Sequence, residues 1–280
     1  MIIDKDTNYV YLSNLLETKC PIAFEQLMWA FRAKNISYEI LQNTKDIWLV
    51  DFMPIQVERD FYVRYNYLPD YLKLKSQRST ITNTDEVCNA INLVPHRVSI
   101  VLDGGNIVKS KNRVIVTNKV FKENPSFAEN ALIAEIRSQL RVEHVIVIPC
   151  EPHDPFGHTD GMVRFIDDET VLINQYPSSK QYSEFTCSFR WSLRNCGLDC
   201  IEVPYTSWQN TSLYDATGCY INYLEVGNCI FYPAFAKFED QLAEMIFQNV
   251  FADRELIAID CRELGKLGGV LNCVTWNIAK

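Results

Sequence analysis

Residues 126–150, SFAENALIAEIRSQLRVEHVIVIPC, decide how this chain is built. Leu132, Ile136 and Leu140 fall on one helical face, and HVIVIPC (144–150) is a short β-branched run of strand type. The same succession recurs four more times. Phe24, Leu27, Met28 and Phe31 precede ISYEIL (36–41), and DEVCNAINL (85–93) precedes RVSIVLD (97–103). Phe185, Phe189 and Leu193 precede DCIEVPY (199–205), and FEDQLAEMIFQNV (238–250), with Leu242, Met245 and Ile246, precedes LIAIDC (256–261).

After each helix–strand pair comes a loop and then one or two further strand-like runs: IWLVDFMPIQV (47–57), NRVIVTN (112–118), MVRFI with TVLINQ (162–166 and 170–175), YLEV with CIFYPAF (223–226 and 229–235), and VLNCVTWNI (270–278). Five similar modules, none able to bury both faces of its small sheet alone, predict a ring with helices outside and loops converging on the axis. Alternating helices and strands are also compatible with a doubly wound parallel sheet. No glycine-rich phosphate loop supports that alternative.

At 280 residues and 48% hydrophobic, the chain reads as one domain over 1–280. Its 35 acidic and 27 basic residues give a formal charge of −8, and no basic patch offers a grip on nucleic acid or anionic lipid. A small cationic ligand suits it better. The N-terminal stretch carries acids where a secretory signal carries an apolar core, and no run approaches the roughly 18 apolar residues of a membrane span. A cytoplasmic protein is expected, in which the ten scattered cysteines are mostly small buried hydrophobes with free thiols. Cys187, Cys196 and Cys200 match no zinc spacing, so no metal is expected.

The unusual residues sit in the loops: Trp48 and Asp51 in the first, Asp103, Gly104, Gly105 and Asn106 in the second, His158 and Asp160 in the third, Asn222 in the fourth, and Gly268, Gly269 and Cys273 in the fifth. Each has an ordinary reading taken alone. Asp51 and Pro54 suit a turn, paired glycines suit a bulge, and a lone histidine or cysteine is most often structural. His96, His144 and His153 keep that reading as structural or surface residues. His158 and Asp160 differ, because H-x-D in an extended segment puts both side chains on one side, where a carboxylate can hold a cation or raise the histidine's basicity. A cysteine approached by two glycines lets a reacting carbon come within about 3–3.5 Å of the sulfur.

These motifs resemble those of the guanidine-modifying enzyme (pentein) superfamily, in particular its agmatine deiminase and bacterial-type peptidylarginine deiminase branch. WLVDFMP (48–54) resembles W-x-R-D-x-G-P, DGGN (103–106) resembles E-G-G-N, and GHTDGMVRF (157–165) resembles G-H-x-D-x-x-x-R-F. YINY (220–223) resembles S-Y-x-N-F, and LGGVLNCVTW (267–276) resembles G-G-G-N-I-H-C-I-T. The resemblance implies a fivefold pseudosymmetric α/β propeller and a cysteine-dependent deiminase acting on agmatine or a related arginine derivative. It also implies Cys273 as nucleophile, His158 as general acid and base, Asp51 and Asp160 on the guanidinium, and Trp48, Asp103, Asn106, Asn222 and Gly269 as substrate-binding residues.

That chemistry needs no cofactor or metal. Carboxylates bind the planar guanidinium bidentately, and the resonance-stabilised cation yields only when it is oriented and its leaving nitrogen protonated. Interception of the thiouronium by an amine instead of water, giving amidino transfer, and guanidine binding without turnover are the alternatives. Three positions depart from the pattern: Val50 in place of arginine, Met53 in place of glycine, and Asp103 in place of glutamate. Loss of the arginine removes either an ion pair behind the site or a substrate contact. The chain is also shorter than typical agmatine deiminases, with reduced loops at the substrate's far end. The sequence is compatible with a homo-oligomer.

Overall fold

Fifteen strands form five separate three-stranded sheets in this computed structural model, which describes residues 1–280 except Lys73 and His153. The sequence reading of His153 therefore lies outside the described residues. In the first sheet β1 (Tyr9–Ser13) runs parallel to β2 (Ser37–Leu41) and antiparallel to the C-terminal β15 (Thr275–Ile278). The others repeat that plan with β3 (Ile55–Glu58), β4 (Phe61–Asn66) and β5 (His96–Val101), then β6 (Val108–Lys109), β7 (Arg113–Thr117) and β8 (His144–Ile148). The last two sheets hold β9 (Val163–Phe165), β10 (Thr170–Asn174) and β11 (Asp199–Val203), then β12 (Leu224–Val226), β13 (Cys229–Ala234) and β14 (Glu255–Asp260). Every middle strand pairs once antiparallel and once parallel, and the parallel crossover carries a helix. This is the fivefold pseudosymmetric α/β propeller, and a single doubly wound sheet is excluded.

The crossover helices are α1 (Pro21–Ala33), α2 (Thr84–Ala90), α3 (Glu129–Leu140), α4 (Lys180–Arg194) and α5 (Glu239–Val250). Helix α1 packs on β2 and on β14 of the neighbouring sheet, and α4 on β11 and on β8 of its neighbour, so helices stitch the modules together. Leu132, Ile136 and Leu140 are fully buried on α3, as are Phe189 and Leu193 on α4. On α5 the expected face is displaced: Ala243 and Phe247 are buried at i, i+4, while Leu242 and Met245 face outward. Phe247 wins because its ring packs edge-on against Tyr223 and Tyr232, burying more apolar surface than the two aliphatic chains could.

The sequence reading also missed β1 and β4, and it read as strand what is partly turn: Leu49–Phe52 is a single helical turn, and Val270–Cys273 precede β15 without joining it. Five cysteines are buried, Cys187 and Cys196 are exposed, and all ten are free. His96 and His144 open β5 and β8 at the surface. Among the described residues no helix is long and apolar enough to cross a membrane.

Candidate active site

The loops that leave the five modules converge on a cavity of about 530 Å³. Trp48, Asp51, His158, Asp160, Asn222, Gly269 and Cys273 all line it. Cys273 sits in the turn before β15, with its backbone N–H donating to Asn222 Oδ1 at 3.2 Å and its carbonyl accepting from Val50 N–H at 3.4 Å. Its Sγ lies 3.7 Å from Asp160 Oδ2, and the same oxygen accepts from Asn272 Nδ2 at 2.7 Å. Asn222 Nδ2 donates to the Asp160 carbonyl at 3.3 Å, so one asparagine side chain spaces the Cys273 loop and the Asp160 loop.

His158 is extended, but Thr159–Gly161 form a 3-10 turn, so Asp160 reaches the cavity by that turn and not by strand alternation. The imidazole lies between two carboxylates. Its Nε2 is 2.9 Å from Asp103 Oδ2, and its Nδ1 is 3.5 Å from Asp51 Oδ1. Burial alone would lower the His158 pKa, yet the charges of Asp51 and Asp103 and the Asp103 hydrogen bond lift it to about 9. At neutral pH this favours the imidazolium, with Nε2–H committed to Asp103 and Nδ1–H on the side of Asp51 and Gly105.

Asp103 and Asn106 are fully buried and stand behind the cavity wall, which corrects their expected place against substrate. Asp103 accepts from Lys119 Nζ at 3.0 Å as well as from His158, and Lys119 lies 3.1 Å from Glu123. Burial opposes ionisation of Asp103, but the hydrogen bond and charge of His158 and the charge of Lys119 outweigh it and hold the carboxyl below its usual range. Asn106 Oδ1 accepts from Thr117 N–H at 2.9 Å and Thr159 Oγ1 at 2.7 Å, which ties the second loop to the third.

Glycine is required where the loops meet. A Cβ on Gly104 would fall 1.9 Å from the Val50 carbonyl oxygen, and one on Gly105 would fall 2.6 Å from Asp51 Oδ1 and 2.7 Å from His158 Nδ1. Gly105 N–H also donates to that Asp51 oxygen at 3.1 Å. Gly105→Ala is expected to displace both side chains and cut kcat/KM by about 100-fold or more, since an ångström of misplacement at a reacting centre has that effect. Steady-state kinetics beside a thermal melt checks this: a near-normal kcat/KM would contradict it. Gly269 admits the Trp48 ring, 2.5 Å from where its Cβ would be.

Val50 contributes backbone to the site, while its side chain faces a separate small cavity of about 50 Å³ shared with Met53, Arg164 and Asp4. Val50 does not line the larger cavity. Arg164 already fills that region, donating to the Tyr223 carbonyl and to Asp4 Oδ2, each at 2.8 Å.

Residues that sequence reasoning missed are Lys119, Asn272, Glu151 and Asp154. The last two, like His158, lie in the stretch that follows β8. The cavity wall carries Asp46, Asp51, Glu151, Asp154, Asp160 and Asp215, and among the described residues no lysine or arginine lines it. Burial raises Asp51 above the usual aspartate range, and burial followed by the charges of Asp160 and Asp51 pushes the Cys273 thiol well up. The site is thus a carboxyl-rich, aromatic-walled pocket in which burial holds the Cys273 thiol pKa up and two carboxyls hold the His158 pKa up.

Five mixed sheets around one acidic cavity define a propeller of the pentein class, and solved structures of that class superpose along the whole chain. A C. jejuni agmatine deiminase matches with TM-score 0.79 at 17% identity, covering 100% of this chain and 95% of the other. The DDAH of Pseudomonas aeruginosa matches with TM-score 0.59 at 11% identity, covering 97% and 99%. The chain belongs to the Porphyromonas-type peptidyl-arginine deiminase family, whose family model matches residues 17–278. Among curated relatives, the agmatine deiminase of Stutzerimonas stutzeri is 24% identical over 209 residues, and that of Pseudomonas fluorescens 24% over 210. Those alignments cover 62% of this chain and 56% of each relative, so the chain spans little more than half their length.

Proposed function

We propose that this protein hydrolyses the guanidino group of a small cationic guanidine to a ureido group and ammonia, with agmatine the foremost substrate. The observation that carries the reading is the cavity itself: a thiol, an imidazolium and two facing aspartates within one acidic pocket. Asp51 and Asp160 would bind the guanidinium N–H groups. An arginine substrate brings an α-carboxylate, for which the described wall has no basic side chain. Agmatine brings none.

A thiol raised by burial and two carboxylates is a poor nucleophile until a cation enters. The guanidinium would neutralise Asp51 and Asp160 and so lower the thiol pKa, the thiol proton passing to solvent and leaving the thiolate. Cys273 Sγ then adds to the central carbon, and His158 Nδ1–H protonates the nitrogen that leaves as ammonia. Loss of that proton leaves His158 neutral. It next takes a proton from water, whose oxygen adds to the thiouronium carbon, and collapse expels the Cys273 sulfur, which regains a proton. Asp103, anchored by Lys119, keeps Nε2 occupied throughout, so the same Nδ1 serves both steps.

The deciding experiment measures ammonia and ureido product with agmatine, free arginine and an arginyl peptide. Agmatine turnover, with free arginine slower by about 100-fold or more, is the expected result, in line with the cost of burying an unpaired charge, and the arginyl peptide, whose α-carboxyl is in an amide bond, separates that charge effect from size. No ureido product from any of the three would overturn the reading. A new guanidino product on adding an amine would move it to amidino transfer.

A further inference from the structure

Glu151 takes no part in the steps above, yet it is a nearly buried carboxylate on the cavity wall, 7% exposed. Three phenols converge on it. Tyr205 and Tyr182 donate to Oε1 at 2.7 and 3.5 Å, and Tyr176 donates to Oε2 at 3.0 Å. Burial and the charge of Asp154 push its pKa up to about 8, against the stabilising hydrogen bonds of the tyrosines, so it is a cation arriving beside Glu151 that favours its ionised form.

A carboxylate offers about four acceptor sites, and three phenols leave one free. Tyr182 and Tyr205 themselves line the cavity, with Tyr176 stacked behind Tyr182 at 5.8 Å between centroids. If Glu151 served packing alone, a neutral or apolar side chain would fill the place at lower desolvation cost. A carboxylate with aromatic neighbours is instead the composition that receives an ammonium group, by charge and by cation–π attraction.

Glu151 also stands on the wall that carries the reacting end. Tyr176 OH lies 3.4 Å from Asn174 Nδ2, and that amide donates at 2.7 Å to the carbonyl of Gly161, the residue next to Asp160. One hydrogen-bonded chain thus runs from Glu151 to the turn that carries Asp160. Glu151, Tyr182 and Tyr205 line the same cavity of about 530 Å³ as Asp51 and Asp160, which is more room than a guanidinium alone needs.

We propose that Glu151, framed by Tyr182 and Tyr205, is a specificity-determining residue that seats an ammonium group at the far end of the substrate. The assignment rests on the guanidine reading above and extends it: the pocket selects guanidines with two positive charges. A neutral tail forfeits the second anchor, and an α-carboxylate is repelled by it.

The test compares agmatine with butylguanidine, which has the same carbon chain without the amine, in the wild type and in Glu151→Gln. The wild type is expected to favour agmatine at least tenfold in kcat/KM. In Glu151→Gln the KM for agmatine rises tenfold or more with little change in kcat, the KM for butylguanidine stays put, and the preference disappears. An equal loss for both substrates, or a loss confined to kcat, overturns the proposal, because a merely structural role acts on both alike. Should the variant not fold, the wild type decides alone, and equal kcat/KM for the two guanidines overturns the seat. Failure to turn over either guanidine would instead bring down the guanidine reading, and the seat with it.

Discussion

Cys273→Ala removes all ureido product while leaving guanidinium binding in place. The expected loss is at least about 1000-fold in kcat, because deleting the nucleophile of the proposed covalent mechanism removes the pathway and not a contact. Agmatine should still bind, since Asp51, Asp160 and Glu151 are untouched, and removal of a desolvated thiol costs the charge balance of the pocket nothing. Equilibrium binding by calorimetry beside the product assay separates the two effects. The wild-type thiol gives a companion signal. Its pKa, pushed well up in the empty site by burial and by Asp160 and Asp51, should fall when a non-reactive guanidinium occupies the cavity. The pH dependence of iodoacetamide alkylation with and without the ligand reads that shift, and an unchanged profile would refute a substrate-assisted thiolate.

Asp103→Asn acts one step further from the substrate and is expected to show itself in pH. In the proposed mechanism His158 must be protonated to expel ammonia, so kcat/KM should fall as pH rises through its pKa of about 9. Asp103 is one of the two carboxylates that hold it there, and an amide at that position still accepts from Nε2–H but carries no charge. The descending limb should therefore move to lower pH by roughly one to three units, the range a lost adjacent counter-charge produces. The rate at the optimum should drop by about 100-fold, at the low end for acid–base assistance. Asp103→Glu, which restores the length usual in the family, should keep the limb near its original position. A limb that does not move in Asp103→Asn would show that another group titrates there.

Helix α3 was legible because its three apolar residues sit at unbroken fourfold spacing in front of a β-branched run. The partner strand β4 was hidden. Its residues FYVRYN follow β3 through the short turn at Arg59 and Asp60, with a register shift that disguises the alternation. The short motifs announced which loops meet, but not how: Asp160 reaches the cavity on a 3-10 turn that two-residue periodicity cannot represent. The depth of Asp103 and Asn106 was equally invisible, since burial follows from the packing of the second loop against the third. Lys119 could not be picked out at all. Lysines are ordinarily surface residues, and only a neighbouring carboxylate in space justifies a buried one.

The pairing of β15 with β1 brings together segments more than 260 residues apart, and Cys273 lies in the turn that leads directly into that seam. Contacts so remote in sequence are slow to form, because chain entropy must be lost before they return any stabilisation. During refolding, the other four modules can acquire helices and local sheet pairings while the thiol still has no Asp160 or Asn222 beside it. Recovery of catalytic competence should then lag behind recovery of secondary structure, which makes the reactivity of one sulfur atom a clock for the closing of the whole ring.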